Sequence, residues 1–256
     1  MATLKHIASK NSDYTAIEAY LVYQHDEFSG RVILDKQGRP LLRESYLLDT
    51  LECGDFSFAT ACLLANRKYG KNTQHGDIKS HQYIISFDPR DAADNGLIME
   101  KAQALGLKFC EENFPGHPAI VCTHPDGHNH SGNIHVHIVI GSVRTREVER
   151  KPYMQKPRDW LEGMKHSSTA QTMRHLRVEV MELCESAGLY QIDRLARAFY
   201  PAILACWNSE EGQREFAAWQ TEQAHIAHSA HPRPQCSQWR SFSHPGAPVL
   251  HTQCPC

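Results

Sequence analysis

Apolar residues recur with the period of a strand in some stretches of the first 193 residues and with the period of a helix in others. Short runs of β-forming residues predict strands at 4–8, 80–87, 119–123 and 133–141. Apolar spacings of three and four residues predict amphipathic helices at 14–24, 56–69, 97–114 and 169–187. Strands that are separated by helices predict an α+β domain, with an antiparallel-rich central sheet and helices packed on one face.

The last part of the chain has a different composition. Residues 194–256 contain no lysine, but they hold six of the 13 prolines and three of the four tryptophans. A short helix is predicted at 211–227. Beyond residue 224 the chain shows no apolar periodicity, so it can bury too little apolar surface to offset the conformational entropy lost on ordering, and we expect disorder there. We therefore expect a folded domain at 1–193 and an atypical tail at 194–256, produced by truncation or by a frameshift near codon 194.

Length and composition favour a soluble protein. The chain has 256 residues, and no uninterrupted apolar stretch approaches the roughly 18 residues of a membrane span. The nine cysteines form no Cys-x-x-Cys pair, which indicates reduced thiols, so we expect a cytoplasmic protein without membrane insertion. A formal net charge of −2 does not indicate nucleic-acid binding, and any DNA contact has to come from a local basic patch.

The histidines are unevenly distributed along the chain. Six of the 17 fall between residues 117 and 137. In the strand predicted at 133–141, aliphatic residues point to one side, whereas His135 and His137 point to the other. Because the aliphatic side has to face the core, we expect both histidines on the open face of the sheet. His124, at the end of the preceding strand, can join them and form a metal site.

Other residues in the intervening loop complete this candidate site. Asp126 can accept a proton from a ligand histidine and so fix its tautomer. His128 and His130 are alternatives for the third ligand. Three imidazoles suit Zn²⁺, Ni²⁺, Co²⁺ or Mn²⁺, so the ligand type alone leaves the metal open.

The run of residues 124–140 resembles the third motif of conjugative relaxases, which is His-x-Asp, a short loop and then His-x-His-x-Val. Over residues 3–193 the chain is similar to MobA/VirD-type mobilisation nucleases of the HUH endonuclease superfamily, and segments 87–91 and 114–117 recur in relaxases of integrative elements. The resemblance implies a nuclease that nicks single-stranded DNA at an origin of transfer. It also implies Mg²⁺ or Mn²⁺ held by the three family histidines, which fall on His124, His135 and His137.

The same resemblance implies a catalytic tyrosine on the first helix. The chain offers Tyr14, Tyr20 and Tyr23 there, and Ala-Tyr-Leu around Tyr20 matches the family best. Attack by Tyr20 on phosphorus would give a 5′-phosphotyrosyl link and a free 3′-OH. Asp126 or a free imidazole would take the phenolic proton.

Basic residues after the histidine strand are candidates for contacts with the DNA backbone: Arg144, Arg146, Arg150 and Lys151. Glu147 and Glu149 interrupt this segment, so a solvated loop is equally consistent with it. Relaxosome accessory proteins and a coupling protein are further partners that the resemblance implies.

Three other functions remain open at this stage. A rolling-circle replication initiator would use the same histidine pair, and a catalytically silent DNA-binding remnant or accessory protein of a mobile element would keep the fold without turnover. A histidine-triad nucleotide hydrolase is less consistent with the sequence, because Val139 occupies the position where that family has a further histidine.

Overall fold

The structure, a computed structural model, describes residues 2–26, 29–125, 133–190, 205 and 209–230. Its contacts divide the chain into two units, residues 1–194 and 195–256, and each is described by itself.

The first unit is built on a five-stranded antiparallel sheet in the order β1-β3-β5-β4-β2. The strands are β1 (Thr3–Ser9), β2 (Leu47–Leu51), β3 (Ser80–Ser86), β4 (Ala119–His124) and β5 (His135–Gly141). The strands predicted from the sequence correspond to β1, β3, β4 and β5. The α+β class and the antiparallel sheet are thus confirmed.

Five helices accompany the sheet: α1 (Tyr14–Val22), α2 (Phe58–Tyr69), α3 (Pro89–Asp94), α4 (Met99–Asn113) and α5 (Ala170–Ser186). Side-chain oxygens cap the first turns of several of them, as free backbone N–H groups there require. Asp13 accepts from the amides of Thr15 and Ala16 in α1, and Ser57 accepts from the amide of Thr60 in α2. The four predicted helices are confirmed, with bounds shifted by up to two residues.

Helices cover both faces of the sheet, not one as the sequence suggested. On one face, α4 and α5 pack through Phe109 and Leu176 on Val136 and Ile138 of β5. On the other face, α1 and α2 pack through residues that include Leu21 and Phe58 on inward positions of β4 and β5: Ile120, Cys122 and Val139. The central strands β4 and β5 are therefore enclosed from both sides.

Close approach of α4 to β5 depends on a glycine. A Cβ atom at Gly106 would lie 2.5 Å from Cγ1 of Val136, so a side chain there would push the helix away. Val136 lies between His135 and His137, and the same contact therefore supports the strand that carries both histidines.

Three elements had no counterpart in the sequence prediction: the edge strand β2, the short helix α3 and a β-ribbon formed by residues 23–26 and 29–42. The ribbon is held by isolated antiparallel bridges, of which Tyr23↔Leu42 and His25↔Val32 lie nearest to the end of α1. The backbone amide of Arg43 donates to the carbonyl of Val22 at 2.9 Å, which returns the chain to the end of the helix.

The second unit contains α6 (Glu210–Ala230). The helix predicted at 211–227 is thus confirmed, and it begins one residue earlier and ends three residues later than predicted. Apart from residues 205 and 209, the other residues of the predicted tail lie outside the described part of the chain. Within that described part, no helix combines the length and the apolar character that crossing a membrane requires.

A second group of histidines lies on the α4–α5 side of the sheet, where His81 and His117 are buried and His6 and His166 partly buried. Nε2 of His6 lies 3.0 Å from Nδ1 of His81, and Nε2 of His166 lies 2.7 Å from the hydroxyl oxygen of Tyr83. Nδ1 of His117 donates to the carbonyl of Gly141 at 2.9 Å. Burial, with smaller contributions from the nearby His6 and Lys165, lowers the pKa of His81 to about 3.

The imidazoles of His117 and His166 also have lowered pKa values. Burial holds the pKa of His117 and that of His166 well below the usual range, and the nearby Arg144 guanidinium lowers both further. Since these imidazoles stay neutral in the folded protein but bind protons once unfolded, folding is opposed when the pH falls below the unfolded pKa of about 6.5.

We expect the free energy of unfolding to fall as the pH is lowered from 7 to 5.5, with His81 contributing about 1 kcal/mol of that loss. Urea denaturation at pH 7 and at pH 5.5 measures the free energy of unfolding. His81→Gln should reduce the pH dependence by that amount, whereas His75→Gln, at an exposed position, should leave it unchanged. Equal pH dependence in wild type and His81→Gln would contradict this account.

Candidate active site

Three histidines from two neighbouring strands converge at one end of the sheet. His124 is the last residue of β4 and is paired in register with His135, the first residue of β5, while His137 lies two residues further on the same face. Their ligand nitrogens all lie within 4.8 Å of one another. The ring centroids are 4.9–5.2 Å apart. The structure thus brings together the three predicted metal ligands.

Backbone carbonyls orient two of these imidazoles. Nε2 of His124 lies 2.8 Å from the carbonyl oxygen of Leu21, and Nδ1 of His135 lies 3.2 Å from that of Asn133. A carbonyl only accepts hydrogen bonds, so each of these nitrogens carries the proton. The nitrogens left with a lone pair, Nδ1 of His124 and Nε2 of His135, face each other at 3.4 Å.

A side chain holds the third imidazole. The amide of Gln82, on β3, lies 2.7 Å from Nδ1 of His137. A half-turn of the amide exchanges its oxygen and nitrogen, so its oxygen can accept the Nδ1 proton. Nε2 of His137 is then available as a ligand. All three rings have an orienting partner on the side away from the cluster, as metal-ligating histidines generally do.

This arrangement fits one divalent cation. Two nitrogens bound to the same ion at about 2.1 Å with a tetrahedral angle lie about 3.4 Å apart, which is the separation of the His124 and His135 nitrogens. Three neutral imidazoles leave coordination positions for water or for phosphate oxygens. The last turn of α1 also presents the negative end of its helix dipole towards His124, which favours a cation.

Tyr20 lies beside this cluster. It is on α1, one residue before the Leu21 carbonyl that orients His124, and its ring centroid is 6.0 Å from that of His137 at an angle of 87°. The ring of His25 lies 5.1 Å away on the neighbouring ribbon. Among the three candidate tyrosines, Tyr20 is the one whose ring packs on a histidine of the cluster.

The other two tyrosines have different environments. Tyr14 is buried, and its hydroxyl donates to the carbonyl of Lys79 and accepts from the side-chain amide of Asn66. Burial raises the pKa of Tyr14 to about 12. Tyr23 ends α1 and forms a β-bridge with Leu42. Both tyrosines therefore have structural partners of their own.

The histidines are less exposed than the sequence suggested. His124 is fully buried and His137 is 4% exposed, because α1 and α2 cover the face that was expected to be open. His135 is partly exposed, so a ligand can reach the cluster from its side.

Arg144, one of the four residues predicted to contact DNA, lies in the protein interior. Its guanidinium donates to the carbonyls of Pro115 and Asp159, and only 3% of the residue is exposed. Burial lowers the pKa of Arg144 to about 10. This placement corrects the expectation that Arg144 contacts a DNA backbone.

The other basic candidates lie beyond the far end of β5. His135 and Gly141 are the two ends of that strand, about 20 Å apart, and the basic segment starts after Gly141. Arg146 forms a bidentate ion pair with Glu52, and the guanidinium of Arg150 lies over the ring of Trp160. The basic candidates Arg146, Arg150 and Lys151 thus follow the end of β5 that is opposite to the histidine cluster.

Asp126, His128 and His130 lie outside the described residues. Their predicted roles stay predictions.

Gln82, the Leu21 carbonyl and His25 were missed by the sequence reasoning. The available signal for Gln82 was an amide side chain within a predicted strand. Its contact with His137 also requires that β3 pairs with β5, which the local pattern does not give. The role of the Leu21 carbonyl follows from its place in the last turn of α1, where carbonyls lack partners within the helix.

Gln82→Leu should weaken binding of Mn²⁺ by about tenfold to a hundredfold, because it removes the acceptor that orients His137. Isothermal titration calorimetry of the protein alone measures this. Gln74→Leu, at an exposed position outside the sheet, is the matched control. Unchanged Mn²⁺ affinity in Gln82→Leu would show that the orienting contact has no role in metal binding.

Comparison with known proteins identifies relatives of this chain. Residues 42–189 match the family described as relaxase, MobA/VirD2-like, nuclease domain. The chain is 28% identical over 151 residues to Protein rlx of Staphylococcus aureus, an alignment that covers 59% of this chain and 37% of that protein. The chain therefore spans well under half the length of this relative.

Two solved structures with the same general description are also similar. One is a conjugative relaxase TrwC in complex with oriT DNA in a metal-bound form, at 12% identity and a TM-score of 0.42, covering 82% of this chain and 88% of that one. The other is a second complex of TrwC with oriT DNA, at 10% identity and a TM-score of 0.39, covering 73% and 69%.

The family match covers more than half of the chain and contains all three clustered histidines, whereas Tyr20 precedes its first residue. The chain belongs to the MobA/VirD2-like relaxases and contains their nuclease domain.

Proposed function

We propose that this chain is a site-specific, metal-dependent nuclease that nicks and transfers single-stranded DNA of a plasmid or integrative element at an origin of transfer. The observation that carries the proposal is the packing of the Tyr20 ring on His137, beside three imidazoles that fit one divalent ion. A phenol and a cation at one place are what a tyrosine nuclease needs.

The reaction is a transesterification with Tyr20 as the nucleophile. The phenolic oxygen forms a bond to phosphorus, the bond from phosphorus to the 3′ oxygen breaks, and the phenolic proton passes to a base. The leaving oxygen takes up a proton and becomes the 3′-OH. One phosphodiester replaces another, so the step is reversible and the strand can be rejoined without an energy source.

The residues around Tyr20 each have a part in this reaction. His124, His135 and His137 hold the cation, which supplies charge stabilisation for the phosphate when bound. His25, 5.1 Å from Tyr20 between ring centroids, is positioned to take the phenolic proton, and Asp126 is the alternative base.

Mg²⁺ or Mn²⁺ is the cation that we propose, with Mn²⁺ better suited to imidazole ligands. The proposed partners are single-stranded DNA at an origin of transfer, relaxosome accessory proteins and a coupling protein, in the cytoplasm. The intact histidine cluster with Tyr20 beside it favours an active domain over a silent remnant.

Tyr20→Phe should abolish formation of a covalent protein–DNA adduct, because it removes the attacking oxygen and keeps the ring. The substrates are single-stranded oligonucleotides tiled across both strands of the DNA that flanks the coding sequence, incubated with Mn²⁺. Denaturing gels detect the adduct, and mass spectrometry locates the modified residue.

Tyr23→Phe is the matched control, since it changes the same group three residues away and should leave adduct formation intact. Chelation of the metal should prevent adduct formation in both proteins. An adduct that persists in Tyr20→Phe, or that is lost only in Tyr23→Phe, would overturn the assignment of the nucleophile.

A further inference from the structure

The sheet face that carries the histidine cluster is only partly covered. Over β4 and β5 it lies beneath α1 and α2, but on β1 the side chains of this face, Thr3, Lys5 and Ile7, are exposed, with Ile7 at 40%. Leu4 and His6 alternate with them and pack on the opposite face against the α4–α5 core and Tyr83. This part of the sheet therefore presents side chains that no described helix buries.

The uncovered surface continues directly into the histidine cluster. Lys5 pairs with Ile84 of β3, and Ile84 pairs with His137 of β5, so one row of side chains crosses three strands. A parallel row runs from Thr3 through Ser86 to His135. Since neighbouring strands are about 4.8 Å apart, each row spans about 10 Å. A third row runs from Ile7 through Gln82 to Val139. We call the six positions of these three rows on β1 and β3 the β1–β3 face: Thr3, Lys5, Ile7, Gln82, Ile84 and Ser86.

The chemistry of this face suits a single strand of nucleic acid. Ile7 and Ile84 offer apolar surface for the faces of unpaired bases, and Lys5 offers a cation for a phosphate. The hydroxyls of Thr3 and Ser86 can donate to phosphate oxygens. The six residues include no carboxylate, so nothing within the face repels a phosphate backbone.

Among the residues that the structure describes, two other directions away from the cluster offer no surface to a DNA strand. Towards α1, His124 and Cys122 are fully buried beneath Leu21. Beyond the far end of β5, Arg144 is buried and Arg146 is paired with Glu52. Among the described residues, the surface that reaches the cluster is therefore the one across β3 and β1.

We propose that the β1–β3 face binds the single-stranded DNA next to the scissile phosphate, with Lys5 on a neighbouring phosphate and with Ile7 and Ile84 against bases. The inference rests on the proposed function, which supplies the substrate class. It assigns DNA contacts to β1 and β3 in place of the basic segment after β5.

The test measures binding separately from cleavage. Fluorescence anisotropy with labelled oligo(dT)20 in the presence of EDTA reports the affinity of the full chain over a range of salt concentrations. Lys5→Gln should weaken binding on the order of fivefold and reduce the slope of log affinity against log salt by about 0.7, as expected for one lost phosphate contact. Ile7→Thr, which keeps a β-branched residue at an exposed position, should weaken binding without changing that slope.

Two controls remove one positive charge elsewhere. Lys36→Gln lies on the exposed turn of the ribbon, and Arg150→Gln lies in the basic segment after β5; both should bind oligo(dT)20 as wild type does. Mn²⁺ affinity should be the same in Lys5→Gln and wild type, which excludes damage to the histidine cluster.

The outcomes separate this proposal from the proposed function. Reduced binding confined to the β1–β3 face supports the proposal even if no tiled oligonucleotide forms an adduct. Unchanged affinity and slope in Lys5→Gln and Ile7→Thr would overturn it, as would an equal loss in Arg150→Gln or Lys36→Gln, even if Tyr20 is the nucleophile.

Discussion

The structure depends on hydrogen bonds that orient three imidazoles towards one point. His124 donates to the Leu21 carbonyl, His135 donates to the Asn133 carbonyl, and Gln82 holds His137. The partners come from α1, from the start of β5 and from β3, so the cluster forms only when these elements are packed together. A neutral imidazole has one donor and one acceptor nitrogen. The carbonyl contacts occupy the donors of His124 and His135, and the Gln82 amide occupies that of His137 when its oxygen faces the ring. In that arrangement the nitrogens with a lone pair are those that a cation would use.

The end of α1 links the histidine cluster to Tyr20, the proposed nucleophile. Tyr20 and Leu21 are consecutive, and the first packs its ring on His137 while the second supplies the carbonyl for His124. The packing of Leu21 and Ile120 in the core fixes the position of this turn relative to β4. A shift of α1 would therefore move the phenol and release the His124 ring together. The orientation of His124 and the position of Tyr20 therefore depend on the same helical turn.

Local patterns predicted four of the five strands and four of the five helices of the first unit, but not which strands pair. The alternation in β5 placed His135 and His137 on one face, as the structure confirms, but the prediction that this face is open was wrong. The residues of β4 are buried on both sides of the strand. Because apolar residues on both sides of a strand are typical of a sheet covered on both faces, the sequence of β4 already indicated that this face is covered. Gln82 could not be paired with His137 without knowing the strand order. Arg144 looked like an exposed cation, yet carbonyls at two distant positions hold it inside the protein.

Anomalous X-ray diffraction from crystals grown with Mn²⁺ tests the central claim most directly. We expect a single strong peak coordinated by Nδ1 of His124, Nε2 of His135 and Nε2 of His137, at about 2.2 Å from each, with the Tyr20 hydroxyl directed to the same side. A peak bound through the opposite nitrogens, or one among the buried histidines around His81 with none at this cluster, would contradict the account.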